Sequence, residues 1–142
     1  MKLALLGDIH GNSYALRSVL AAAFSSEAEA LLIAGDMVGY YFAPQEVLGL
    51  LQSWKKYVVR GNHEDMLNEA RADREFLAQV DARYGTGLRT ALEQLSEEQI
   101  DELCSLPHPL ALEIDGCRIL LCHGAPWDND CYVYPDAKPE LL

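Results

Sequence analysis

Basic residues are scarce in this sequence: 11 Lys and Arg stand against 22 Asp and Glu over 142 residues, for a formal net charge of −11. Nucleic-acid polymers and anionic membranes reward a basic face and repel an acidic one, so neither is expected as a partner. Any anionic substrate must be drawn in by a local feature rather than by the field of the whole protein. Long apolar runs are missing as well. A membrane span needs about 18 apolar residues, whereas the first run, Leu3 to Leu6, stops at Gly7 and Asp8 and is too short even for a signal-peptide core. The four cysteines, Cys104, Cys117, Cys122 and Cys131, show no CxxC spacing, and a domain of this size needs no disulfide staple. Reduced thiols in a cytoplasmic protein are therefore expected. Cys117 and Cys122 sit in an apolar strand pattern and read as small buried hydrophobes.

Half of the residues are hydrophobic, enough for one domain over residues 1–142 with a core of its own. Lys2 to Leu6 reads as a buried strand, and Leu16, Val19, Leu20, Ala23 and Phe24 repeat with helical spacing behind it. Ala30 to Ala34 is a second strand, followed by Pro44 at a helix start and by Val47, Leu50, Leu51 and Trp54 on one helical face. Lys56 to Arg60 is a third strand. Strands alternating with helices predict βαβ units and a parallel sheet. From Asp65 to Leu106 the pattern is helical, with Ser96 and Gln99 forming a capping box for its last helix and Pro107 and Pro109 ending it. Asp115-Gly116 then joins Leu110–Ile114 to Cys117–Cys122 as a β-hairpin. Beyond Gly124 the chain reads as loop.

Four polar clusters break this pattern, each just after an expected strand: Gly7-Asp8-Ile9-His10-Gly11-Asn12, Gly35-Asp36, Gly61-Asn62-His63-Glu64 and His123-Gly124. The carboxyl ends of parallel strands share one edge of the sheet, where ligands bind, so residues distant in sequence meet there. Two carboxylates, an amide oxygen and three imidazoles converge, which are oxygen and nitrogen ligands suited to Zn, Mn, Fe or Co. No cysteine ligand set and no phosphate-cradling P-loop accompanies them. Taken singly, each cluster has a plain alternative: Asn12 as a helix cap, Asp8-Ile9-His10 and Asn62-His63 as turns, His123 as a satisfied strand-end histidine, Glu64 and Asp65 as a solvated helix start. Four such clusters at four strand ends point to one site.

The segments GDIHGN, GD, GNHE and HG, in that order, resemble the calcineurin-like metallophosphoesterase superfamily, and the stretch LRTALEQLSEEQIDELCSLP resembles its small bacterial and archaeal phosphodiesterase branch. The resemblance implies an α/β fold, a four-layer αββα sandwich of which this chain holds the amino-terminal majority. It implies a binuclear site in which Asp8 and His10 bind one metal, Asp36 bridges two, and Asn62 and His123 bind the other, with His63 near the leaving group. Two divalent ions, manganese placed first and Fe, Zn, Ni, Co and Mg left open, would clamp the phosphate and activate a bridging hydroxide. The implied activity is hydrolysis of a phosphodiester or phosphomonoester on a small substrate or nucleotide. A non-catalytic scaffold of the same fold is the alternative, and oligomeric state is not legible.

The chain departs from the superfamily in two places. The GHxH motif that follows HG is absent before Leu142, and Pro139-Glu140-Leu141-Leu142 looks like a helix start with no helix behind it. Fewer ligands and an unpaired sheet edge are therefore expected, with weak or absent hydrolysis by residues 1–142 alone. Asp36 is followed by Met37-Val38-Gly39-Tyr40-Tyr41 rather than by a segment with Asp-Arg-Gly, so the arginine clamp of the protein phosphatases is missing. Tyr40, Tyr41 and Trp127 are either stacking platforms for a substrate or rim and core packing.

Overall fold

The computed structural model describes residues 1–137; the helix start expected at Pro139–Leu142 lies outside them. Three short strands, β1 (Leu3–Leu6), β2 (Ala30–Ile33) and β3 (Lys56–Val58), form a parallel sheet in that order. Leu3 lies beside Ala30 and Leu6 beside Ile33, while Leu31 pairs with Lys56 and Ile33 with Val58. The crossovers are α1 (Ser13–Ser25) and α2 (Pro44–Leu51). Asn12 caps α1 by accepting the Ala15 N–H at 3.0 Å, and Pro44 opens α2, where a missing N–H costs nothing. Four helices follow: α3 (Asn62–Ala72), α4 (Arg74–Tyr84), α5 (Gly87–Gln94) and α6 (Glu97–Cys104). The capping box of α6 is formed, with Gln99 N–H donating to Ser96 Oγ at 3.2 Å and Ser96 N–H to Gln99 Oε1 at 2.9 Å.

β4 (Leu110–Ile114) and β5 (Cys117–Leu121) make an antiparallel hairpin. Its turn residues Asp115 and Gly116 both take positive φ, 52° and 76°, the backbone sense that matches the twist of the strands. Side chains of β2 alternate between two cores. Leu31 and Ile33 pack with Leu16, Val47, Leu51 and other helix residues, whereas Leu32 joins Val59, Ile114 and Leu121 between the two sheets. Being covered on both faces is what makes β2 a continuous apolar run. The described residues thus form helix, sheet and sheet layers, an α/β architecture.

The apolar stripe of α1 is narrower than its spacing suggests. Leu16, Leu20 and Ala23 are buried, but Val19 is half-exposed and Phe24 lies in solvent. Cys117 is exposed and Cys122 intermediate, so neither is a buried hydrophobe. Cys117 pairs with Ile114 across the hairpin, at its turn end.

Candidate metal centre

All four polar clusters leave strand ends on one side of the molecule. Asp8 and His10 follow β1, Asp36 follows β2, Asn62 and His63 open α3 directly after β3, and His123 follows β5. The loops are stitched to one another: the His10 and Gly11 N–H groups donate to the Asp36 and Met37 carbonyls at 2.8 Å each. Asp8, His10 and Asp36 all adopt left-handed backbone, with φ of 53°, 50° and 55°. Such conformations cost of order 1–3 kcal/mol each and persist where the surroundings enforce them. Close approach also dictates two glycines. A Cβ on Gly61 would collide with Asp36 Oδ1, and one on Gly39 with the His63 ring.

Side chains from the four clusters come close to one another. His10 Nε2 lies 3.6 Å from both Asp8 Oδ1 and Asp36 Oδ2, and His123 Nε2 lies 3.6 Å from the same Asp36 Oδ2. Donor atoms of His10, Asp36 and His63 fall within 4.8 Å of one another, as do those of Asp8, Asp36 and His123, so Asp36 belongs to both groups. They line a cavity of about 410 Å³ together with Tyr40, Asn62, Asp130 and Tyr132.

Hydrogen bonds assign the tautomers. His10 Nδ1 is 3.0 Å from the Val38 carbonyl and His123 Nδ1 is 2.6 Å from the Ala34 carbonyl. A carbonyl only accepts, so each Nδ1 carries the proton, and in the neutral ring Nε2 turns a lone pair toward Asp36. His123 Nε2 also lies 3.0 Å from Asn62 Oδ1, another acceptor, because the Asn62 amide nitrogen donates to Asp130 Oδ1 at 3.1 Å. Lone pairs that converge on carboxylate and amide oxygens are reconciled only by a cation between them, a proton on Nε2 or a metal ion. The donor set therefore fits divalent metals.

Burial dominates the electrostatics. It pushes the Asp36 carboxyl up to about 6, against the opposing hydrogen bond from the His63 N–H to Asp36 Oδ1 at 3.0 Å. It pushes His63 down to about 4, helped by His10 and His123. His63 Nδ1 is buried without a hydrogen-bond partner among the described residues, and its ring packs edge-on against His10, 4.5 Å between centroids.

Glu64 departs from the sequence expectation. It is no solvated helix residue but wholly buried, 0% exposed. Its carboxylate accepts the N–H groups of Asp36 at 2.9 Å, Met37 at 2.7 Å and Gly61 at 2.8 Å. It thereby ties the loop after β2 to the start of α3. Desolvation and the nearby Asp36 raise its pKa, and the three N–H donors oppose that rise. The signal available in sequence was a glutamate three residues after Gly61, where it can reach back to the N-cap N–H. Asp65 is instead paired with Arg60 at 2.6 Å. Tyr40 packs on His10 with ring centroids 4.6 Å apart, on the cavity wall. Tyr41 and Trp127 are about half-exposed and lie outside that wall. His108 is a loop residue whose Nε2 lies 2.8 Å from the His123 carbonyl.

The chain matches the calcineurin-like phosphoesterase family over residues 1–140 and belongs to it. A curated relative, an uncharacterized protein of Methanocaldococcus jannaschii, is 26% identical over 147 residues, covering 99% of this chain and 57% of the relative. The crystal structure of a metallophosphoesterase from Sphaerobacter thermophilus is 29% identical with a TM-score of 0.68, over 94% of this chain and 51% of that one. A hypothetical protein of Pyrococcus horikoshii shares the fold with a TM-score of 0.81 at 23% identity, over 98% of this chain and 61% of its own. The chain spans little more than half the length of these relatives.

Proposed function

We propose that the protein is a metal-dependent phosphoesterase acting on a small phosphodiester or nucleotide, with Asp8 and His10 holding one divalent ion, Asp36 shared between two, and Asn62 and His123 holding the second. One observation carries the reading. His10 and His123, each locked at Nδ1 by a backbone carbonyl, aim Nε2 lone pairs at the same oxygen of Asp36. Divalent ions in such a site supply Lewis acidity toward a phosphoryl group and lower the pKa of water. Manganese is the first candidate, with Fe, Zn, Ni, Co and Mg sharing the same ligand chemistry.

The chain's own residues then divide the work. Asp36, with two oxygens and almost no solvent contact, suits a shared position. Left-handed backbone at Asp8, His10 and Asp36 holds their donors in place before any ligand arrives. Burial keeps His63 neutral at pH 7, so it serves the leaving oxygen as an N–H donor, and an anionic phosphate against the ring raises its proton affinity. No arginine or lysine lines the described cavity, so a substrate anion is drawn by the metal charge rather than by a side-chain clamp. The Tyr40 and Tyr132 rings at the cavity wall suit an aryl or nucleoside leaving group. The same reading takes residues 1–142 as one phosphoesterase domain of a cytoplasmic protein. No described helix is long and apolar enough to cross a membrane.

The test is hydrolysis of bis-p-nitrophenyl phosphate with Mn²⁺ and with EDTA, on this chain and on Asp36→Ala and His63→Ala, with metal content measured in parallel. Slow turnover that needs Mn²⁺ and disappears in both variants is expected. Turnover indifferent to EDTA would overturn the reading, and bound metal without turnover would favour a scaffold of the same fold.

A further inference from the structure

The segment after His123 folds back over the first turn of α3 and is held there by side chains. Asn129 Nδ2 donates to Asp65 Oδ2 at 2.6 Å, Asp65 pairs with Arg60, and the Asp130 N–H donates to Asp128 Oδ1 at 2.9 Å. This fixes the Asp130 carboxylate on the cavity wall, where Oδ1 accepts from Asn62 Nδ2 at 3.1 Å. Asn62 has two ways to sit. With Nδ2 on Asp130 its oxygen faces the His123 Nε2 lone pair at 3.0 Å, an arrangement that calls for a cation. With the amide turned over, Nδ2 would donate to that same nitrogen, and the pair would satisfy itself with no metal at all.

We propose that Asp130 is a positioning residue for the metal centre: it holds the Asn62 amide with its oxygen toward the cation and excludes the flipped, self-satisfied pair with His123. A carboxylate only accepts, so Asp130 can bind the NH₂ end of the amide and never its oxygen. The inference rests on Asn62 as a metal ligand, and partners that orient a ligand in this way change metal affinity by about 10–100-fold when removed.

Two readouts test it without recourse to turnover. Mn²⁺ affinity, measured by electron paramagnetic resonance, is expected to fall about 10–100-fold in Asp130→Ala and also in Asp130→Asn, whose NH₂ can take the Asn62 oxygen and so permits the flipped pair. In ¹⁵N spectra of the metal-free protein, His123 Nε2 is expected to move to the position of a hydrogen-bonded acceptor in Asp130→Ala, and the Asn62 NH₂ signals to shift with it. Wild-type affinity in Asp130→Ala would overturn the proposal, and so would a loss of affinity with the metal-free Asn62 and His123 signals unchanged, which would show that charge alone is at work. If the wild-type chain takes up no Mn²⁺, the ligand assignment of Asn62 fails. The metal-free spectra then still decide the role of Asp130, which is overturned by unchanged Asn62 and His123 signals.

Discussion

Glu64 Oε2 accepts the backbone N–H of Asp36 at 2.9 Å, across 28 residues of sequence, from a position with no solvent contact. The bond links the carboxylate common to the two candidate ligand groups to the helix that presents Asn62 and His63. The same Oε2 takes the Gly61 N–H at 2.8 Å and Oε1 takes Met37 at 2.7 Å. A single side chain thus sets the spacing between two strand-end loops.

Replacing Glu64 by Gln keeps the shape but turns an NH₂ group toward at least one of these N–H donors. A buried donor left unsatisfied costs about 1–3 kcal/mol. Urea unfolding of Glu64→Gln is expected to show a loss of that size. Mn²⁺ affinity should fall about tenfold or more, because Asp36 loses its fixed backbone. A variant with wild-type stability and wild-type metal binding would remove Glu64 from the assembly of the site.

Much of this was legible in the sequence, for reasons that are local. The three apolar runs become β1, β2 and β3 because each is short and closed by glycine or a polar cluster. The Asp115-Gly116 turn and the Asn12 and Ser96 caps follow from side chains that act within three residues of themselves. The meeting of the first three polar clusters was legible because β1, β2 and β3 are parallel and end on one edge, whereas His123 arrives from the antiparallel hairpin. What escaped depended on coverage by distant parts of the chain. Spacing places Val19 and Phe24 on the helix face of Leu16 and Leu20 without saying how wide a surface lies beneath. Alternation places Cys117 opposite Ile114 without saying that it is exposed at the turn end of the hairpin. Glu64 escaped because three of the four N–H groups it serves lie 26 to 28 residues away.

Gly61 and Gly49 offer a contrast with the same chemical change. Gly61 has φ of −97°, which alanine tolerates, so the effect of Gly61→Ala is steric: its Cβ meets Asp36 Oδ1 and the Asp36 nitrogen. Displacing that carboxylate is expected to cost about 1–3 kcal/mol of stability and to weaken Mn²⁺ binding. Gly49 lies within α2 with nothing within 4 Å of the new methyl group. Gly49→Ala should stabilise by about 0.5–1 kcal/mol and leave metal affinity alone. Thermal unfolding with and without Mn²⁺ reads both, and equal shifts in the two variants would contradict the close packing around Asp36.

Asp36 should make the metal-free protein less stable, and the pH dependence fixes the sign. Its folded-state pKa, pushed up to about 6 by burial, lies above the ordinary aspartate value of 3.8. The stability it contributes is therefore fully present below about 3.8 and is lost as pH rises through 6, when a buried charge must be carried. His63 runs the opposite way. Pushed down to about 4 from 6.5, its contribution is complete above 6.5 and is lost as pH falls toward 4. Asp36→Asn isolates the first effect, since the amide is neutral at every pH and its oxygen still accepts the His63 N–H. In EDTA at pH 8 this variant is expected to exceed the wild type by about 3 kcal/mol, and at pH 4 the two should converge. Mn²⁺ at a thousand times its Kd is expected to reverse the order, because a ligand bound only by the folded state then adds about 4.1 kcal/mol, and only the wild type keeps the Asp36 carboxylate. Urea titrations at the two pH values, each with Mn²⁺ and with EDTA, measure all four cases. A metal-free Asp36→Asn protein no more stable than wild type at pH 8 would show that the Asp36 charge carries no burial penalty.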